Sequence, residues 1–574
     1  MTVHYLNHIK EYNAVNYGDV SVYTNDHFAV IGPLRKKDGF CLSCFQSRMK
    51  EMKLRDVHFF EATNKKLTSF EMQQVEKYSA ELHKKQDDNL LYMLNRQTQE
   101  VELMGTFKRG DCNICNTDEA TEPVRSDSLG SKKFDLLNPR QETWENVKGK
   151  IEKHKHFLYD NPLSIINRIN RSGDSYGIPM VETEVSMKGI SLLSYGRTRT
   201  YEKSRYTSIL ESLERYATAF PYQISSHQWK EIESDAADLT LSDVIEINNL
   251  EMGEYSKEAP VYYREVDALH KNEKAFIPEQ LIYFDSHHVS GEKRYVFDSS
   301  NGSALGSTLE EASLYAMLEL FERDAFLSTW YGQIAPVRIG EDALQSPTVQ
   351  SYLLALKRKG IKVHLFDISL ELKIPTIWVL LEKLDAEKAD MAFYTAAATS
   401  FDLDDAIEKA LIEATTAISV FTNVFKSEEA QQRKQLLLDD PTKVSKLEDH
   451  LLLYSNREAA KFLSFALETP YEMTKAELDA YYTKFDQSYS EILSYFHQIL
   501  LGNSQKAYRA KTENPNLEKI GFVNVKYIVP EMLTMTFGHQ NRRVVYSRIE
   551  KALKTKGRGK LDKQWIDLVP HPFP

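Results

Sequence analysis

A tetrad written twice places the tightest constraint on how this chain can fold: Glu211-Ser-Leu-Glu214-Arg215, and again Glu319-Leu-Phe-Glu322-Arg323. On a helix, positions i, i+3 and i+4 share a face, so each copy presents two carboxylates and a guanidinium together. Glu311 precedes Glu319 by eight residues, which brings a third acid round to the same side. A lone Glu–Arg pair of this kind is ordinarily a wet helix face worth only ~0.3–0.5 kcal/mol. The flanks argue otherwise, because Ala312, Leu314, Ala316, Met317, Leu318, Leu320, Phe321, Ala325 and Phe326 leave little room for a solvated face. Carboxylates in such surroundings are costly unless they are paired or hold a cation. Acids with two arginines supply hard oxygen ligands for magnesium and planar forks for phosphate oxygens. The pattern therefore predicts a magnesium–nucleotide site built on two largely buried helices.

All four cysteines lie in two CxxC pairs, Cys41-Leu-Ser-Cys44 and Cys112-Asn-Ile-Cys115, each in a turn-rich setting. Four thiolates from two tight loops predict a closed tetrahedral zinc site with no open position for catalysis. Disulfides are the alternative, and a reducing compartment disfavours them. The N-terminus lacks the cationic and apolar regions of a secretory signal, and no apolar run approaches the ~18 residues a membrane span needs. A cytoplasmic location and no membrane association are the expectation. The net charge of −11 argues against nonspecific nucleic-acid binding.

Length predicts several structural units. Residues 1–133 read as a small zinc-stapled α/β unit followed by a polar linker over 116–133, and residues 134–574 as a second, unbroken domain. Helical patterns cover 207–220, 308–331 and 404–422; KVHLFDISL, IPTIWVLLE, GFVNVKYIVP and RRVVYSRI read as strands. Long helices mixed with strands, without regular βαβ alternation, point to an α+β fold with mixed sheets and flanking helices. Gly557-Arg-Gly-Lys560 lacks the spacing of a phosphate-binding loop, and His287-His288 read as surface residues.

These residues resemble the YcaO family, ATP-dependent enzymes that modify peptide backbone amides. One signature reads Thr207-SIL-Glu211-SL-Glu214-Arg215, with Thr where the family usually has Ser. The other reads Asn301-Gly302, Ser307-TLE-Glu311-Ala312, then Glu319-LF-Glu322-Arg323-Asp324, with Ser307 where Asn is usual. LEDHLLLY around His450 and VPEMLTMTFG over 529–538 are also similar, while Lys409 stands where an arginine is frequent. The closing Pro570-His-Pro572-Phe-Pro574 matches the PxPxP tail of azoline-forming members. The resemblance covers about 135–574. Before it, Val30-Ile-Gly-Pro33 and the two CxxC pairs resemble a short remnant of the zinc-bearing E1-like partner protein.

What the resemblance implies is an ATP-dependent cyclodehydratase. A Cys, Ser or Thr of a ribosomal precursor peptide attacks the preceding amide carbonyl; ATP phosphorylates the resulting oxygen, which leaves as phosphate and gives thiazoline or oxazoline. Thr207, Glu211, Glu214, Arg215, Ser307, Glu311, Glu319, Glu322 and Arg323 would bind ATP and Mg2+, and the carboxylate of Pro574 would assist proton transfer. Cys41, Cys44, Cys112 and Cys115 would hold structural Zn2+. No room for a full winged-helix leader-binding element is found before Ile31, so a separate leader-peptide-binding protein is expected. A homodimer is implied, and a flavin dehydrogenase is left open as a further partner. Thioamide or amidine formation, a noncatalytic zinc-stapled scaffold, and an AMP-forming ligase are the competing readings.

Overall fold

The computed structural model describes residues 2–36, 39–52, 66–87, 89–115, 133–136, 139–172, 176–225, 227–228, 237–250, 261–387 and 390–573. At the N-terminal end, five strands pair in chain order: Val3–Leu6, Val20–Thr24, Phe28–Leu34, Leu90–Asn95 and Val101–Gly105. Only the first pair is parallel. Alternation along the strands loads both faces of the sheet. Val20, Val22, Ile31 and Leu34 pack with Val75 and Leu82 of the Ser69–Lys85 helix. Tyr23, Val30, Leu91 and Met93 pack with Leu42, Phe45 and Met49 of the Leu42–Glu51 helix.

A buried arginine joins this part firmly to the segment over 163–186. Arg48 is buried at 1% exposure, and its guanidinium donates to the carbonyls of Leu163, Ser164, Ile165 and Ser186.

Three further sheets complete the described fold. Ile166–Arg171, Met180–Met187 and Ile190–Arg197 form an antiparallel meander covered by the Tyr201–Ala219 helix. That helix approaches so closely that a Cβ on Gly196 would lie 1.7 Å from the Ser204 carbonyl oxygen, so only glycine fits there. A six-stranded sheet runs Glu273–Pro278, Tyr262–Ala268, Tyr508–Lys511, Val523–Ile528, Ser303–Gly306, with His227–Gln228 also paired to Tyr262–Ala268. The last sheet, of five strands, runs Phe393–Thr399, Thr376–Lys383, Ile361–Asp367, Val337–Ile339, Glu472–Met473, antiparallel except at its final pair.

The Leu309–Tyr331 helix passes between two of these sheets and is apolar almost all round, as a helix enclosed on every side must be. Ala312 to Phe321 contribute to a core with Phe496, Val525 and Tyr527. Ala325 to Tyr331 contribute to another with Trp378, Leu380 and Ala396. Glu319, Glu322 and Arg323 sit where the helix leaves one core for the other.

The architecture is the expected α+β type. The three long helices lie at Tyr201–Ala219, Leu309–Tyr331 and Leu403–Val424, and the first three expected strands at Ile361–Asp367, Thr376–Lys383 and Val523–Ile528. The fourth, RRVVYSRI, is not a strand: it runs through an irregular turn into a helix, Tyr546–Lys556. Its β-branched Val544 and Val545 are buried in the core beside the five-stranded sheet, and the pattern beyond them, Ile549, Ala552 and Leu553, has helical spacing. Helix there also lets Arg548 pair with both Asp324 and Glu371 at 2.6 and 2.8 Å.

Candidate active site

The two tetrads do not present equivalent carboxylates. Glu211 accepts the Tyr195 backbone N–H at 2.9 Å and pairs with Arg215 at 2.8 Å. Arg215 donates in turn to the Leu193 carbonyl, which anchors the helix to the meander, and it still lies near enough to Glu319 to lower that carboxyl's proton affinity. Glu214 points the other way, accepting the Leu305 N–H at 3.1 Å from the strand that leads into the Leu309–Tyr331 helix. Burial pushes its carboxyl up to about 7, helped by the neighbouring Glu211.

On the Leu309–Tyr331 helix, Arg323 stands 3.7 Å from Glu319 and 3.6 Å from Glu322. Glu322 also accepts the Thr399 N–H at 2.8 Å from the edge of the five-stranded sheet. Enclosure raises both carboxyls to about 8; Arg323 opposes the rise, while Glu214 adds to it at Glu319 and Glu413 at Glu322. Both side chains nevertheless keep a solvent-facing edge, 24% for Glu319 and 12% for Glu322, as expected of groups lining a cleft.

Glu311 stands apart from this group. Both of its oxygens have protein partners: Arg140 at 2.9 Å and the Gln141 N–H at 3.2 Å. Arg140 lies over the Tyr315 ring at 3.5 Å and is half exposed. Thr207 lies on the Tyr201–Ala219 helix, and Ser307 just before the Leu309–Tyr331 helix; both are half-buried. Lys409 is paired with Asp405 at 2.6 Å, one helical turn away.

Three charged residues at this site escape a reading of the tetrads. Arg140 comes from a loop, and Glu413 from the Leu403–Val424 helix, where it stands 3.7 Å from Arg197 and faces Glu322 and Arg323. Lys526 comes from the centre of a strand, fully enclosed, held by Asp298 at 3.4 Å and the Ser299 carbonyl at 2.7 Å. It faces Glu319 and lowers that carboxyl's proton affinity. In sequence it is the one charged residue in VNVKYI, and only the lack of an obvious wet face signals it.

The donor set fits a magnesium–nucleotide group: hard carboxylate oxygens, two of which share Arg323, beside forked cations. Protonation then couples to metal binding. A carboxyl raised in the folded state stabilises the metal-free fold fully below its unfolded value of about 4.5, and that stability is lost as pH rises through about 7 to 8. A divalent cation must displace these protons. Affinity for Mg2+–nucleotide should therefore rise between about pH 6 and pH 8, by about tenfold per unit for each proton displaced. Calorimetric titration at several pH values measures this; a flat profile would rule out ligation by Glu214, Glu319 and Glu322.

The four cysteine sulfurs converge within 4.8 Å of one another, with Cys41–Cys112 at 3.5 Å, Cys44–Cys115 at 3.4 Å and Cys41–Cys44 at 3.9 Å. Zn–S bonds of about 2.3 Å in a tetrahedron place sulfurs about 3.8 Å apart, so the cluster fits a closed zinc site. Cys41 begins the Leu42–Glu51 helix, so the site fixes where that helix starts. Pro574 lies outside the described residues, but Phe573 does not: its ring lies 4.4 Å from the Arg323 guanidinium.

A family model described as YcaO cyclodehydratase, ATP- and Mg2+-binding, matches residues 195–533. Among solved structures, the chain is similar to a heterocyclase in complex with substrate and cofactor: TM-score 0.63, 15% identity, 92% of this chain and 76% of that one. It is similar to the heterocyclase TruD: TM-score 0.60, 14% identity, 100% of this chain and 79% of that one. A third likeness is to YcaO from Methanopyrus kandleri bound with AMPPCP and Mg2+: TM-score 0.51, 16% identity, 72% of this chain and 97% of that one. At these identities the likenesses establish a shared fold. No curated protein matches the sequence. Among the described residues, no helix is long and apolar enough to cross a membrane.

Proposed function

The chain belongs to the YcaO cyclodehydratase family, which binds ATP and Mg2+, and from that premise we propose that it converts Cys, Ser or Thr of a ribosomal precursor peptide to thiazoline or oxazoline. The observation that carries this reading is the convergence of Glu214, Glu319, Glu322 and Arg323 from two helices into one enclosed but solvent-edged cluster. Phosphoryl transfer asks a protein mainly for positioning and charge neutralisation. Bound magnesium would supply the neutralising charge.

The chain's own residues would divide the remaining work. Glu211, Glu214, Glu319 and Glu322 are assigned as carboxylate ligands, with Glu413 close enough to join them. Glu311 is assigned as the group that orients Arg140 across the mouth of the site, a role supported by its two protein partners. Arg323 and Arg215 are the forks for phosphate oxygens, and Thr207 and Ser307 are polar contacts at the rim. Residues 1–133 are assigned as the zinc-bearing unit and 134–574 as the catalytic domain. A cytoplasmic enzyme of this kind would act on peptide delivered by a separate leader-binding protein, as a homodimer, with a flavin dehydrogenase needed only if the azoline is oxidised to the azole.

The test is intact-mass analysis of a precursor peptide from the same gene neighbourhood, treated with this protein, the neighbouring leader-binding protein and Mg2+–ATP. Each ring formed removes one water, a loss of about 18 Da, with ADP and phosphate released. A gain of about 16 Da would transfer the assignment to thioamide formation, and unchanged peptide with unconsumed ATP would overturn catalysis.

A further inference from the structure

Residues 569–573 enter the protein as an extended segment, and Val569, His571 and Phe573 are all buried. A buried extended chain must satisfy its carbonyls, and ordinarily it does so by joining a sheet. Pro570 and Pro572 withhold two of the N–H groups such a ladder needs. Side chains read the segment instead. The Trp330 indole donates to the Val569 carbonyl at 3.4 Å, the Tyr454 hydroxyl to Pro570 at 2.6 Å, and His450 to His571 at 2.7 Å. His450 and Tyr454 are four residues apart on the Leu447–Tyr454 helix, so one helix face takes two consecutive carbonyls.

His450 can make its contact in one tautomer only. Its Nε2 lies 3.1 Å from the Gly538 N–H, which can only donate, so Nε2 is the acceptor and Nδ1 carries the proton given to His571. Gly538 has φ +87° and closes the loop that begins after Val529. The His571 ring stacks on His450 at 4.3 Å and donates from Nε2 to the Thr536 carbonyl at 3.0 Å. Two residues further on, the Phe573 ring sits between Phe326, with centroids 4.8 Å apart, and Arg323.

We propose that His450 and Tyr454 are positioning residues that set the register of the 569–573 segment, and through Phe573 the posture of Arg323, without touching nucleotide or metal. A one-residue slip would move Phe573 off Arg323 and put a proline where the ring now lies. The catalytic consequence rests on the function proposed above; the register device itself does not.

The experiment uses the full-length protein carrying His450→Phe, His450→Asn or Tyr454→Phe. Hydrogen–deuterium exchange is followed at the Val569, His571 and Phe573 amides, alongside steady-state ATP turnover with peptide. His450→Phe should speed exchange of the segment about tenfold or more, the size of one lost buried hydrogen bond. It should lower kcat by a similar factor while KM for ATP stays within about twofold. His450→Asn keeps a donor near the Nδ1 position and should recover most of both. Should His450→Phe fail to fold, Tyr454→Phe, which removes a single oxygen, is expected to give the same pattern at smaller amplitude. Unchanged exchange in both the Phe variants would overturn the register role, as would loss of kcat with the segment still protected. If the wild-type protein turns over neither ATP nor peptide, the functional proposal fails while the exchange data still decide the register.

Discussion

Replacing Arg323 with methionine is expected to cut ATP turnover by about a thousandfold while leaving the fold intact. The magnitude is that of a single transition-state arginine in phosphoryl transfer. Survival of the fold rests on the chemistry of its neighbours. Arg323 lies between Glu319 and Glu322, and removing a buried cation from beside two fixed anions would be ruinous. These two acids, already raised to about 8, can take up protons instead. The variant should therefore titrate higher still and bind Mg2+–nucleotide more weakly at neutral pH than at alkaline pH. Arg323→Lys should fall between, because it restores charge without the planar fork. Turnover within about threefold of wild type in Arg323→Met would exclude a role at the transferred phosphoryl group.

Loss of zinc should be the second large effect. Binding to a four-thiolate site is worth on the order of 10 kcal/mol, as much as the whole stability of many domains. Cys112→Ser removes one ligand and leaves the Leu42–Glu51 helix without the tie that fixes its start at Cys41. Metal analysis should show the zinc gone, and limited proteolysis should cut first among residues 40–115. The effect should not stop there, since Arg48 on the same helix holds four carbonyls of the neighbouring segment. Full metal content and an unchanged unfolding midpoint in Cys112→Ser would refute the assignment.

Much of this molecule is legible in its sequence because helical spacing and cysteine spacing are local rules. The tetrads, the three long helices and the sulfur cluster need only i, i+3 and i+4 or a tight CxxC turn. What escapes is set by packing at long range. Arg140 meets Glu311 across 171 residues, and only the assembled fold shows that Glu311 already has protein partners. Glu413 is one of five charged residues on its helix and Lys526 the one charged residue of its strand, and spacing singles out neither. Equal tetrads also hide unequal fates: Glu211 is tied to the meander and Glu214 to the strand ahead of the second tetrad, which no spacing distinguishes. RRVVYSRI misleads for the opposite reason, since two valines give a strong strand propensity that Arg548's buried pairing with Asp324 and Glu371 overrides.

Arg48 bears on whether the cysteine-bearing part could be exchanged for that of another enzyme. A graft cut within 116–133 would respect the sequence and still separate a guanidinium from the four carbonyls built to receive it. Each half of such a chimaera would carry the fault, one a guanidinium left with Glu51 alone and the other unsatisfied acceptors. The transferable piece therefore includes Leu163 to Ile165 and Ser186, so the natural seam for recombination lies well inside what composition alone marks as the next domain.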